Sequence, residues 1–387
     1  MIVRNVLLSI QMFIFIGFAS AVILVYLQMN KSYTNIFSTF TSKEKENTFI
    51  IDCSGKKHLM DNKELLLHSI KSSPLVQNAI YTYSDFNRSY ASKINMNPDM
   101  PENDFLPYTV RNYVSPEFPN FFKVKVLAGK FMDADSPPDM VAVDENFATL
   151  YKGENPIGKS FLTDDGKKYT IMGIVQNVQY FKNLKNSNLI KSKNPPVYYV
   201  SDTSPWKDYH IYVKPIPGKS KEIKQYLEKC VREFLPSTID FKIETLAEFI
   251  EKMELSDEII LLKMGSLFGS IALAICLLSL YSSVTMNTER RRKEVAIRKI
   301  NGAGVWDIIR LFSKTYLGLF TVACILVFPI VYYFGNQWLE QYSQRIFLTP
   351  FFFLCIFLCA SALIFATIVF RIKKVADENP AEVVKKE

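Results

Sequence analysis

With 387 residues, 49% of them hydrophobic and 22% charged, the chain is too apolar for a disordered polymer and long enough for more than one domain. Its net charge of +8 is not spread over a folded surface: residues 30 to 257 hold 30 basic and 29 acidic side chains, and the surplus lies mostly at 290 to 314 and 371 to 386. Those two stretches flank long apolar runs, so the charge is a membrane-topology signal and no nucleic-acid partner is needed to explain it.

The first apolar run, Val6 to Leu27, is close to the ~20 residues that cross ~30 Å of hydrocarbon at 1.5 Å per residue. Arg4 and Ala19-Ser20-Ala21 imitate a signal peptide, but the apolar stretch continues past any cut there to Leu27, which favours an uncleaved helix. Ile259 to Val284, Tyr316 to Phe334 and Phe351 to Phe370 predict three further spans. The basic loop at 285 to 315 reads as cytoplasmic, which puts both termini inside and 28 to 258, with the short 335 to 350 loop, outside.

The outside segment is long enough for one large or two small domains. Thr48 to Cys53 reads as a strand, Asp61 to Ser72 as a helix with Asp61 as N-cap and Leu65, Leu66 and Ile70 on one side, and Val76 to Tyr83 as a strand. The same order returns as strand Tyr209 to Val213, helix Ser220 to Phe234 and strand Thr238 to Ile243. Between these two βαβ-like units lies an insertion, roughly Asp104 to Tyr199. It has strands predicted at Phe122 to Leu127, Met140 to Val143 and Tyr169 to Val175, and a helix at Glu145 to Tyr151 capped by Asp144. The expected fold is therefore a four-span α-helical membrane protein with a large exported α+β domain, an inserted β-rich lobe splitting it. The domains run 1 to 28 (first span), 29 to 257 (exported) and 258 to 387 (three spans).

Chemistry-bearing motifs are few. Gly153-Glu154-Asn155-Pro156-Ile157-Gly158-Lys159-Ser160 fits the phosphate-loop expression, yet such a loop needs a buried strand before it and a helix after it. Here a predicted helix precedes and Phe161 to Gly166, a strand and turn, follows, so a structural turn is the better reading. Cys276, Cys324, Cys355 and Cys359 fall within spans and read as small apolar packing residues. Cys53 and Cys230 are both on the exported side, where pairing stays open. His58, His68 and His210 are too scattered for a metal site, and no catalytic constellation emerges.

Within the spans, Gly265-Ser266-Leu267-Phe268-Gly269 and the Gly17/Ala21 pair permit close helix approach, either inside the subunit or in a dimer. Lys263 can snorkel to the outer surface and Pro329 kinks the third span. After the second span, Arg290 to Lys299 predicts a cytoplasmic prolongation of that helix with Glu289/Lys293 and Glu294/Arg298 at i,i+4. Gly302 and Gly304 end it, and Trp306 to Phe312 starts a new amphipathic turn. By composition alone this is a loop whose arginines meet anionic headgroups, or a basic helix shaped for an acidic groove.

Phe122-Lys123-Val124-Lys125-Val126-Leu127-Ala128-Gly129-Lys130-Phe131, then Val141-Ala142-Val143-Asp144-Glu145-Asn146-Phe147-Ala148, Asn155-Pro156-Ile157-Gly158-Lys159 and Tyr169-Thr170-Ile171-Met172-Gly173-Ile174-Val175 resemble the extracytoplasmic core domain of MacB/FtsX-type ABC-transporter permeases. Arg291-Arg292-Lys293-Glu294-Val295-Ala296-Ile297-Arg298-Lys299 with Gly302-Ala303 resembles that family's signature after its second span, and Asn379-Pro380-Ala381-Glu382 its ending. The resemblance covers nearly the whole chain. It departs where the first span starts almost at Met1, as in the second half of longer, duplicated permeases, which suggests a half-length relative, a paired subunit or a truncated product.

The resemblance implies a permease of the bacterial cytoplasmic (inner) membrane that binds no cofactor itself and relies on a separate cytoplasmic ABC ATPase carrying ATP and Mg. It implies a porter-like lobe with an inserted lobe, and a coupling segment in which Arg291, Arg292, Lys293, Glu294, Arg298, Lys299, Gly302 and Trp306 face the ATPase. The other expected partners are a second copy or a paralogous permease, membrane lipid, and an envelope adaptor or substrate protein. Export or extraction of an envelope substrate is one implied function; non-transporting control of an envelope enzyme by mechanotransmission is the other.

Overall fold

The computed structural model describes residues 2–82, 90–96, 106–178, 196–201 and 209–376. The chain divides into two compact units, one of Met1–Met29, Asp257–Glu340 and Arg345–Glu387, the other of Asn30–Ser256 and Gln341–Gln344. It opens with α1 (Ile2–Asn35), α2 (Ser42–Asn47), β1 (Phe49–Asp52), α3 (Lys57–Asp61), α4 (Lys63–Lys71) and β2 (Val76–Thr82). Next come β3 (Tyr90–Asn95), β4 (Leu106–Val114), α5 (Phe118–Phe122), β5 (Val126–Gly129), β6 (Met140–Asp144), α6 (Glu145–Ala148), β7 (Ser160–Thr163), β8 (Lys168–Val175) and β9 (Val197–Ser201). β10 (His210–Pro215), α7 (Ser220–Phe234), β11 (Ile243–Thr245) and α8 (Leu246–Met253) follow, then α9 (Ser256–Arg290), α10 (Arg292–Ile300), α11 (Val305–Leu339) and α12 (Pro350–Ala376).

In the second unit, β11, β1, β10 and β2 lie in that order with every neighbour antiparallel. Each βαβ pair is thus parallel with one strand of the other pair between its members, the split arrangement of ferredoxin-like folds. One sheet face meets the helices: Phe49, Ile51, Ile211 and Val213 bury against Leu66, Leu67, Ile70, Ile223, Leu227 and Val231. Each fully buried Leu, Ile or Val side chain there contributes about 1.5–3 kcal/mol. The alternate residues face an aromatic layer, with Tyr212 edge-on to Phe122 at 5.2 Å and His210 edge-on to Phe249 at 6.0 Å.

The inserted strands close on themselves. β4 pairs β3, β3 pairs β7, β7 pairs β8, β8 pairs β6, β6 pairs β9, and β9 returns to pair β4 in parallel from Val110↔Val197 to Val114↔Ser201. This is a small barrel, joined to the four-stranded sheet through Thr82↔Val114. Its core holds Val141, Val143, Phe161, Tyr169, Ile171, Tyr198 and Val200, the period-2 partners of outward residues. β5 is laid on the outer edge of β8, where Gly129 and Gly173 let two backbones touch: a Cβ on Gly173 would lie 2.0 Å from the Lys130 carbonyl oxygen.

Several boundaries differ from the sequence-based expectation. Asp61 ends α3 and caps nothing, because buried Leu59 draws an extra helical turn onto the core ahead of Asn62. Leu65 is 61% exposed, and Leu67 takes its place inside. Phe122 to Leu127 begins as α5, whose Phe118, Pro119, Phe121 and Phe122 are all buried, and Lys123 leaves it in a left-handed conformation (φ 55°) before β5 starts at Val126. Thr238 to Ile243 yields only the edge strand from Ile243, which ends where Thr245 serves as N-cap of α8 in a capping box with Glu248. The barrel begins at β3, upstream of Asp104.

Candidate functional site

Among the described residues four helices are long and apolar enough to cross a membrane: Asn5–Asn35, Ser256–Arg290, Val305–Leu339 and Pro350–Lys373. Gly265 and Gly269 are spent inside the chain. A Cβ on Gly265 would lie 2.9 Å from Val22 Cγ2 of α1, and one on Gly269 would meet Phe18 Cβ at 3.7 Å, so α1 packs into the notch between them. Gly17 faces open space and Ala21 is exposed, outside the chain's own packing.

The candidate site is the link between α9 and α11. α9 stops at Arg290 and α10 starts at Arg292, so the expected continuous prolongation is instead a helix followed by a separate nine-residue one. Val295 explains where α10 is held: it is buried in the same cluster as Ile308, Ile309 and Phe312 of α11. Arg291, Arg292 and Arg298 stay on the exposed side, and Arg298 Nη2 donates to Glu294 Oε1 at 2.9 Å. The side chains of Lys293 and Lys299 lie outside the described residues.

The Ala303 N–H returns to the Arg298 carbonyl at 2.9 Å while Gly302 takes φ 89°, the left-handed ending that glycine adopts without steric penalty. The Gly304 N–H then donates to Asp307 Oδ2 at 2.9 Å, which starts α11 at Val305 with Trp306 in its first turn, 65% exposed.

Polar groups invisible to motif reading lock this end of the helices. Asn287 Nδ2 donates to Tyr316 Oη at 2.6 Å, and that hydroxyl donates to Ser283 Oγ at 3.3 Å, tying α9 to α11. Arg371 Nε donates to Thr285 Oγ1 at 2.7 Å with its guanidinium over the Tyr281 ring at 5.3 Å, tying α12 to α9. Polar residues at the basic-flanked ends of the apolar runs were the only available signal for these positions.

Other expected candidates resolve as structure. Lys159 pairs with Glu154, while the Gly158 N–H donates to the Ile171 carbonyl at 2.8 Å and the Ile171 N–H to the Lys159 carbonyl at 2.9 Å. The turn is clamped to β8 and leads into a strand, so it offers no helix N-terminus to a phosphate. Lys159→Ala is accordingly expected to leave nucleotide binding and hydrolysis by the permease and ATPase complex unchanged; loss of nucleotide binding with the fold intact would reverse this. Cys53 and Cys230 are both free thiols in one core cluster, and burial pushes Cys53 up to about 12. Among the described residues no group of three or more His, Cys, Asp or Glu side chains is placed to hold a metal ion.

A family model for the MacB-like periplasmic core domain matches residues 13–229, and one for the FtsX-like permease C-terminal region matches residues 266–380. The chain belongs to the MacB/FtsX-type ABC-transporter permeases. It is a membrane protein with an extracytoplasmic domain, in a family whose members work with an ABC ATPase and are generally not catalytic themselves.

Solved structures similar to this permease include the periplasmic region of MacB from Actinobacillus actinomycetemcomitans, 13% identical over 56% of this chain and 96% of that one, TM-score 0.39. A domain of a putative permease protein from Porphyromonas gingivalis is 14% identical over 52% and 89%, TM-score 0.36. The extracellular domain of the noncanonic ABC-type transporter YknZ from Gram-positive bacteria is 14% identical over 51% and 99%, TM-score 0.34. No curated protein matches the chain.

Proposed function

We propose that this permease couples ATP hydrolysis by a separate cytoplasmic ATPase, which carries the ATP and Mg, to movement of its exported domain for export or extraction of an envelope substrate. The observation that supports this most is α10: a short helix, broken from α9 at Arg291 and turned back at Gly302, anchored by Val295 and presenting Arg291, Arg292 and Arg298 outward. A rigid basic helix between two spans suits an acidic groove on a partner better than a slack loop does, because its ordering cost is already met on folding. A second copy or a paralogous permease completes the pair of transmembrane halves in this reading. Co-expression with the candidate ABC ATPase, followed by purification through a tag on the permease, tests it: stoichiometric recovery of ATPase is expected, and a folded permease that recovers none would sink the reading.

The same reading places both termini and α10 in the cytoplasm and residues 29–257 outside the bacterial cytoplasmic membrane. Ser72 and Asn301 are exposed positions in the two compartments. Ser72→Cys is expected to react with a membrane-impermeant maleimide in intact cells, and Asn301→Cys only after permeabilisation; the opposite pattern would overturn the orientation.

A further inference from the structure

We propose that a groove formed by α11 and α12 is a binding site for one anionic phospholipid. Trp306, Arg310, Ser313, Lys314 and Leu317 recur at helical spacing on one face of α11, and Phe365 of α12 completes the lining. Arg310 and Lys314 are exposed, one turn apart on the groove, and neither has an ion-pair partner among the described residues. Ser313 lines the same groove at 4% exposure, and its hydroxyl has no hydrogen-bond partner in the described structure. A buried hydroxyl without a partner is costly, and a hydroxyl rotor can turn toward an incoming acceptor.

The occupant follows from charge and depth. Lys314 lies two residues before the apolar run that begins at Tyr316, about 3 Å along the axis at 1.5 Å per residue and so within the headgroup layer, while Arg310, about 9 Å out, reaches back to that layer with its long side chain. Trp306, ten residues and about 15 Å before that run, forms the outer rim of the groove, where its indole N–H is free to donate to a headgroup. Two cations and two hydrogen-bond donors select a phosphate, while Leu317 and Phe365 on the adjoining floor select hydrocarbon attached to it. A soluble phosphate would leave that floor bare, and a zwitterionic lipid would bring an ammonium group against two like charges. The inference needs only that α11 crosses a membrane, and it assigns Trp306 to lipid while the cations of α10 remain for the ATPase.

The test uses the full chain in vesicles with Trp206, Trp306 and Trp338, the chain's three tryptophans, changed to Phe and with Leu317→Trp on the groove floor at the start of the apolar run as the sole indole. Phosphatidylcholine vesicles receive phosphatidylglycerol or further phosphatidylcholine with brominated acyl chains. Brominated phosphatidylglycerol is expected to quench the indole at position 317 at a lower mole fraction than brominated phosphatidylcholine. Arg310→Gln and Lys314→Gln are each expected to raise that mole fraction about fivefold, the value of one basic residue at an anionic surface.

Should either variant fail to fold, Ser313→Ala keeps both charges and is expected to weaken the preference about threefold, the net worth of one hydrogen bond. Equal quenching by the two brominated lipids overturns the proposal. So does displacement by excess soluble glycerol phosphate, which would make this a phosphate site with no lipid selectivity.

Discussion

Asp165→Ala is expected to loosen the barrel lobe by about 1.5–3 kcal/mol, and Arg111→Met by clearly less, although Asp165 is the more exposed partner. Arg111 is 7% exposed and sits among the barrel's aromatic residues, its guanidinium 5.6 Å from the Tyr198 ring centroid and 6.0 Å from that of Tyr169. It donates to Tyr198 Oη at 2.5 Å and Tyr113 Oη at 3.2 Å, and holds Asp165 in a two-pronged pair at 2.9 and 3.1 Å. Removing the carboxylate strands a guanidinium that cannot lose its proton, whereas removing the arginine leaves a carboxylate, 41% exposed, that can turn to water. The double variant Arg111→Met/Asp165→Ala should therefore recover part of the loss. Hydrogen exchange of the barrel-strand amides in the full chain reads this, and an Arg111→Met defect as large as that of Asp165→Ala would refute the asymmetry.

The pH dependence has a definite sign. Burial pushes the Asp165 carboxyl up, but hydrogen bonds from Arg111 and Thr163 and the charge of Arg111 outweigh it and hold the group at about 2. A carboxylate depressed in the folded state contributes stability that is present above its ordinary range near 4 and is lost as pH falls through about 2. The difference between the parent and Asp165→Ala should accordingly shrink over that window, by less than the full shift implies because solvent screens a partly exposed pair.

How much of this was legible beforehand depended on whether the signal was local. Helix α7 runs over the expected Ser220 to Phe234 because Ile223, Leu227, Cys230 and Val231 recur at 3.6-residue spacing and bury together. The four spans announce themselves by length and apolarity. Barrel closure did not, because β4 and β9 meet across 87 residues at Val110↔Val197, and no pattern within either strand encodes its partner. Arg111 was unreadable for the same reason: its carboxylate lies 54 residues on, in a turn that composition marks only as polar.

At the candidate site the charges were plain, while the break at Arg291 was not. It is an interruption of one residue between α9 and α10, after which Val295 joins the cluster around Ile308 and Phe312, a tertiary contact that no local pattern encodes. The groove on α11 was half visible. Trp306 stood out as an anchor, but its neighbours Ser313 and Phe365 come together only when α12 is in place.

Arg298→Glu is expected to weaken association with the ATPase by about 2–5 kcal/mol if Arg298 is desolvated in the complex, a loss of roughly 30-fold or more. Helix α10 itself should survive the change. Reversal replaces the 2.9 Å Arg298–Glu294 pair with two like charges at i,i+4, a penalty of only about 0.4–1 kcal/mol on an exposed face, and Val295 still holds the helix in the cluster. Orientation should survive too, since Arg290, Arg291, Arg292, Arg310 and Lys314 still flank the spans. Glu294→Gln separates the two terms: it removes the internal pair without adding a negative charge, so it should leave ATPase binding intact or slightly stronger. The kinetics then locate the residue, because a charge at the rim slows association and fades with salt, while a desolvated one speeds dissociation. Co-purification and stimulated ATP hydrolysis are the measurements. If Arg298→Glu and the triple reversal with Arg291→Glu and Arg292→Glu all bind and couple like the parent, α10 is a topology signal and the ATPase docks elsewhere.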